Sequence, residues 1–142
     1  MKLRLFSIFL FVFMNFFSFS QNGWKLVHDE NGIKVSTKEA DCNVDGAHLQ
    51  KWFLIKVENQ TTDFKLIEWD LNLFDQNNKC LSCNGSEEYH VKFKMAGNET
   101  VEGKCSKNGQ PELRVIERFL DIKTVSEIMD VKLVNIKASA LK

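Results

Sequence analysis

The chain is 142 residues long, 44% hydrophobic and 27% charged, with 19 Lys and Arg set against 19 Asp and Glu. That composition excludes a disordered tail, and the length excludes a multidomain enzyme, leaving one ordinary globular domain. A balanced charge gives no electrostatic reason to expect nucleic acid or an anionic membrane as partner.

Seven of the twelve Phe fall in the first twenty residues. Lys2 and Arg4 precede an apolar run from Leu5 to Phe17, and Ser18-Phe19-Ser20 supplies small residues at a cleavage site. This is the layout of a secretory signal peptide over residues 1–20, with Gln21 as the mature N-terminus. The run is shorter than the roughly 20 residues a spanning helix needs, so no membrane insertion is expected after cleavage. No Cys stands at the junction to carry a lipid anchor. Without Lys2 and Arg4, 17 basic side chains face 19 acidic ones, a net charge of −2.

From residue 21 onward the hydrophobic residues recur mostly at a period of two, which predicts strands. Trp24–His28 and Ile33–Lys38 flank Asp29-Glu30-Asn31-Gly32, a tight-turn signal. Leu49–Glu58 follows, then Phe64–Phe74 with Ile67, Trp69, Leu71 and Leu73 on one face. Beyond a polar loop at Asp75–Gly85 come Glu88–Met95, Glu99–Lys104, Leu113–Leu120 and Ile128–Ala138. The last segment changes parity at Val134 and Ile136, as a β-bulge would make it do. The pattern predicts an all-β domain over 21–142: a single antiparallel β-sandwich, immunoglobulin-like or fibronectin-III-like, of about seven strands. Neither Leu49–Glu58 nor Leu113–Leu120 holds a Cys, so the familiar inter-sheet disulfide of antibody domains is not expected.

The stretch from Val57-Glu58-Asn59-Gln60-Thr61 to Leu71-Asn72-Leu73-Phe74-Asp75 resembles extracytoplasmic immunoglobulin-like domains of the FxLYD type. Gly97-Asn98-Glu99-Thr100-Val101-Glu102-Gly103 looks like the turn and strand of the same group, with Ala96 where Pro is usual. The Asn-Gly-Ile-Lys-Val opening, the Cys-x-x-Cys and the Glu-Gly-x-Cys are similar to small secreted proteins of Bacteroidetes. The resemblance implies a fold and an exported, periplasmic or extracellular location; it carries no activity.

Four cysteines, Cys42, Cys80, Cys83 and Cys105, in an exported chain point to two disulfides. The strands they follow end in the same direction, which gathers the sulfurs at one end of the sandwich. The expected pairing joins Cys42 and Cys105 each to one member of Cys80-Leu81-Ser82-Cys83. The alternative keeps Cys80–Cys83 as a local bridge and pairs Cys42 with Cys105. A second functional class, a structural zinc or thiol-redox site, would use the same Cys42, Cys80, Cys83 and Cys105.

His28, His48 and His90 are scattered, no nucleophile elbow or phosphate loop is present, and Glu68 and Asp70 read as a solvated sheet face. No catalytic residue and no cofactor are expected. Trp52 and Leu54 lie on the strand face opposite Phe53 and Ile55; exposed, they form the candidate binding patch, and packed under the N-terminal hairpin they are core. The sequence thus points to an exported, non-enzymatic binding or envelope-accessory module whose partner is a protein or a glycan.

Overall fold

The computed structural model describes residues 23–124 and 127–141. The leader expected over 1–20, with its junction at Gln21, lies outside the described residues. Among the described residues eight strands form, one for each predicted segment: β1 (Lys25–Glu30), β2 (Ile33–Cys42), β3 (Gln50–Asn59), β4 (Lys65–Phe74), β5 (His90–Met95), β6 (Thr100–Glu102), β7 (Arg114–Phe119) and β8 (Asp130–Ala140). Single 3-10 turns at Glu87–Tyr89 and Pro111–Leu113 lead into β5 and β7.

The β1–β2 hairpin closes through Asn31 and Gly32, whose φ angles are 52° and 76°. Both central residues of this turn need positive φ, which is why Asn-Gly sits there. β2 and β3 then pair over ten positions, from Ile33 opposite Asn59 to Cys42 opposite Gln50. The far edge of β3 is shared by β7, which pairs with Gln50–Leu54, and β6, which pairs with Lys56–Glu58. The second sheet has the order β5-β4-β8, all antiparallel.

Odd-numbered residues of β2, β3 and β4 face inward. Ile33, Val35, Phe53, Ile55 and Val57 meet Ile67, Trp69, Leu73, Phe93, Met95 and Val131 in one core between the sheets. Each of these aliphatic side chains, once buried, contributes roughly 1.5–3 kcal/mol. The β-sandwich is the one the periodicity predicts, and its strand order is its own. In immunoglobulin domains the second strand pairs with the fifth, and the third lies in the opposite sheet. Here the first three strands form a meander, because β2 and β3 match over their whole ten-residue length and only the short loop 43–49 joins them.

The parity shift in β8 is a bulge. Glu68 pairs with Lys137 and Asp70 with Val134, so one residue of β4 faces two of β8. Asn135 takes the positive φ of 54° within it. Similar irregularities interrupt β1 at Val27 and β7 at Glu117.

One end of the sandwich is organised by Asn59, which is 1% exposed. Its Nδ2 donates to the carbonyls of Asp63 and Ala96, each at 2.8 Å. Its Oδ1 accepts from the backbone N of Thr61 at 3.1 Å and from Thr61 Oγ1 at 2.7 Å. A fully satisfied buried amide of this kind ties the β3–β4 turn to the β5–β6 turn. Gly97 completes the approach, since a Cβ there would come within 2.1 Å of the Thr62 carbonyl oxygen.

Candidate functional site

All four cysteines form disulfides, Cys42–Cys105 and Cys80–Cys83. The preferred pairing of the sequence reading, Cys42 and Cys105 each to the Cys-x-x-Cys loop, is therefore corrected. The loop folds back on β4 and cannot reach the other sheet. Cys80 bridges Phe74, and Leu81 N donates to the Leu73 carbonyl at 2.7 Å. Ser82 Oγ accepts from Leu73 N at 2.8 Å and donates to the Leu71 carbonyl at 2.7 Å. The alternative zinc or thiol site at Cys42, Cys80, Cys83 and Cys105 falls for the same reason, because a bridged sulfur offers no thiolate. Among the described residues, no group of three or more His, Cys, Asp or Glu side chains is placed to hold a metal ion.

Trp52 and Leu54 do lie on the outer face of the first sheet, as their parity requires. They are not an exposed patch: Trp52 is 3% and Leu54 2% exposed. With Cys42 they make a second small core, packed by Trp24, Ala40 and Val44. The Arg114 guanidinium lies 4.9 Å from the Trp52 ring centroid, and the indole N–H donates to Gln50 Oε1 at 2.7 Å. Trp24 lies over the same face, with Lys38 Nζ 4.5 Å and Lys56 Nζ 5.6 Å from its ring. The chain before β1 thus covers the candidate patch.

The outer face of the second sheet carries a charged cluster that the sequence reading took as solvated surface. His90 stands between two carboxylates, with Nδ1 2.6 Å from Asp70 Oδ1 and Nε2 3.3 Å from Glu68 Oε1. Hydrogen bonding to Asp70 first, and to Glu68 second, raises the proton affinity of the imidazole. Asn135 Nδ2 donates to Asp70 Oδ2 at 2.7 Å, which with His90 holds the Asp70 carboxyl below its usual range. Asp70 so joins all three strands of the sheet. Both ring nitrogens of His90 are engaged by carboxylates, so neither is turned toward a nucleophile.

An opening among the described residues lies between the two sheets. A cleft of about 660 Å³ runs between the β1–β2 edge and the start of β8. Val27, Phe53, Val131 and Leu133 give it apolar surface, and Lys25, Lys38, Lys132, Glu39 and Asp130 give it charge of both signs. Its size is that of an ordinary small-ligand or peptide site.

Glu117, on β7, interacts with two of the cleft residues. Its side chain is 1% exposed, and neither oxygen has a hydrogen-bond partner among the described residues. Arg118 Nη1 comes only to 3.8 Å. Burial and then repulsion from Glu39 push the carboxyl pKa up to about 7; Arg118 and Lys51 oppose the rise, and Asp130 adds to it. The sequence does hold a sign of this. Glu117 shares its parity with Leu113 and Val115, which predicts an inward side chain.

Because the folded pKa lies above the ordinary 4.5, folding favours the protonated acid. That stabilisation is whole below pH 4.5 and is lost as pH rises through 7. The shift corresponds to about 3 kcal/mol. Glu117→Gln is expected to be near-neutral at pH 4 and stabilising by about 2–3 kcal/mol at pH 8, read from urea unfolding. A difference independent of pH would show that the carboxyl is solvated.

No family model matches the chain, and no curated relative does. Among solved structures, a DUF1425 family member from Shewanella sp. pv-4 aligns over 87% of this chain and 94% of its own, with a TM-score of 0.42 and 10% identity.

Proposed function

We propose that the protein is an exported, non-enzymatic binding module that holds a segment of an envelope protein or a glycan in the cleft between β1–β2 and β8. The cleft carries the reading. It combines apolar surface from both sheets with charged groups, as binding sites do. Two disulfides suit an oxidising compartment, and the apolar run before Gln21 suits a secretory leader. Mass spectrometry of the exported chain, beginning at Gln21 with two bridges intact, supports the compartment.

The binding reading is tested by screening fragments and oligosaccharides against the isotopically labelled protein. Amide shifts confined to the cleft, abolished by Val27→Trp, support it. Val27 is 42% exposed, so an indole there fills the opening without entering the core. Shifts mapping elsewhere, or surviving Val27→Trp, overturn it.

A further inference from the structure

At one corner of the sandwich Ile128 joins the two sheets. Its N–H donates to the Glu117 carbonyl at 3.0 Å, and its own carbonyl accepts from Arg118 Nη1 at 3.4 Å. The next residue, Met129, donates its N–H to the Phe74 carbonyl at 2.8 Å, and Asp130 opens β8 opposite Phe74. Ile128 is thus held by β7 of the first sheet, and Met129 by β4 of the second.

The anchor on β7 is its bulge. Ile116 pairs with Trp52 and Arg118 with Lys51, so Glu117 is the extra residue and pairs with nothing on β3. A bulge re-aims the side chain it carries. Here it leaves the Glu117 carboxyl 1% exposed, with neither oxygen hydrogen-bonded. A carboxylate is not kept out of water in this way without partners, whereas the neutral acid is far less costly to bury.

The groups that face it supply no partner. They are Glu39 from β2, Lys51 from β3, Arg118 from β7 and Asp130 from β8. Lys51 Nζ lies 2.8 Å from Asp41 instead. Arg118 Nη1 stays 3.8 Å from Glu117 Oε2 and bonds the Ile128 carbonyl. Two carboxylates and two engaged cations therefore leave the neutral acid as the form that fits the closed corner.

We infer that Glu117 is a proton-operated latch: neutral, it lets the β7 bulge close on Ile128, and charged, it opens the Glu117–Ile128 and Arg118–Ile128 bonds to water while the rest of the sandwich stays folded. The opening is local because two hydrogen bonds hold Ile128 to β7, whereas β8 remains paired with β4 from Lys65 to Phe74. Joints with so few bonds open well below the free energy of global unfolding. Asp130, which faces the same carboxyl, also lines the cleft, so latch and cleft share a wall. The inference holds whatever the cleft binds.

The direction follows from the charge. The closed corner holds the Glu117 carboxyl at about 7, and contact with water returns it to its ordinary 4.5. Opening is therefore indifferent to pH below 4.5, becomes about tenfold easier per pH unit from there to 7, and levels off above. Acid locks the corner, and neutral pH releases it.

The experiment is hydrogen exchange of the intact, oxidised protein, read at the Ile128 amide against the Ile67 amide in the middle of β4. With intrinsic rates divided out, exchange at Ile128 should rise about 50-fold between pH 5 and 7.5. Low concentrations of urea should leave it nearly unchanged and accelerate Ile67, because a local opening exposes little surface. Glu117→Gln, uncharged at both pH values, should abolish the rise and keep the amide spectrum of the parent. An Ile128 amide without the rise, with the same rise in Glu117→Gln, or with the urea dependence of Ile67 overturns the inference. If Glu117→Gln does not fold, Glu39→Gln decides. Removing that repulsion should make the rise level off at lower pH, and an unchanged profile overturns the latch.

Discussion

Replacing Cys42 and Cys105 together by alanine is expected to lower the unfolding free energy by about 4 kcal/mol. The bridge spans 63 residues of sequence, joining the end of β2 to the loop after β6. Closing a loop of that length removes far more freedom from the unfolded chain than closing a short one. The Cys80–Cys83 bridge spans a separation of three, and the same reasoning gives it only about 2 kcal/mol. Urea unfolding of the two double variants checks the order. Domains of this size have about 5–15 kcal/mol in total, so the first variant should be close to its limit at 37 °C and the second should not. Equal losses would mean that loop length does not set the effect.

Trp52→Ala is expected to cost about 3–5 kcal/mol, the range for removing a buried indole. The loss has three parts: the cavity beside Cys42 and Leu54, the unpaired Gln50 Oε1, and the stripped face of the Arg114 guanidinium. An exposed recognition residue would cost almost nothing, so the variant separates the two roles that parity alone allows. Thermal and urea unfolding read the result; a variant as stable as the parent would return Trp52 to the surface.

The elements were legible because each is short, alternating and bounded by turn residues. Phe64–Phe74 shows this best: of its inward residues, Ile67, Trp69 and Leu73 are buried and Leu71 is half-buried. Alternation tells which residues share a face, but not what lies against that face. Trp52 and Leu54 share the outer face as predicted, yet Trp24, from before β1, covers it through contacts that no local pattern encodes. The preferred disulfide pairing failed in a related way, and the alternative, Cys42–Cys105 with Cys80–Cys83, is the one that forms. Strand direction placed the cysteines at strand ends, while the pairing was decided by Ser82 and Leu81 bonding back to β4. Glu68 and Asp70 were read as one solvated face because their partner His90 sits across the strand pair, opposite Asp70. The cleft was out of reach for the same reason, since it forms only where the start of β8 meets the β1–β2 side of the other sheet.

The bulge at Asn135 makes the C-terminal part of β8 sensitive to counting as well as to chemistry. After it, Ala138 returns to the interior opposite Ile67, and Lys137 points outward opposite Glu68. A point change at Asn135 would leave that alternation in place, and so would loss of its codon, which would remove the extra residue and keep Lys137 opposite Glu68 and Ala138 opposite Ile67. Loss of a codon beyond the bulge would instead exchange the faces of every residue after it. In the history of such a gene, the bulge itself should accept single-residue losses, whereas the regular stretch that follows should accept substitutions and few insertions or deletions.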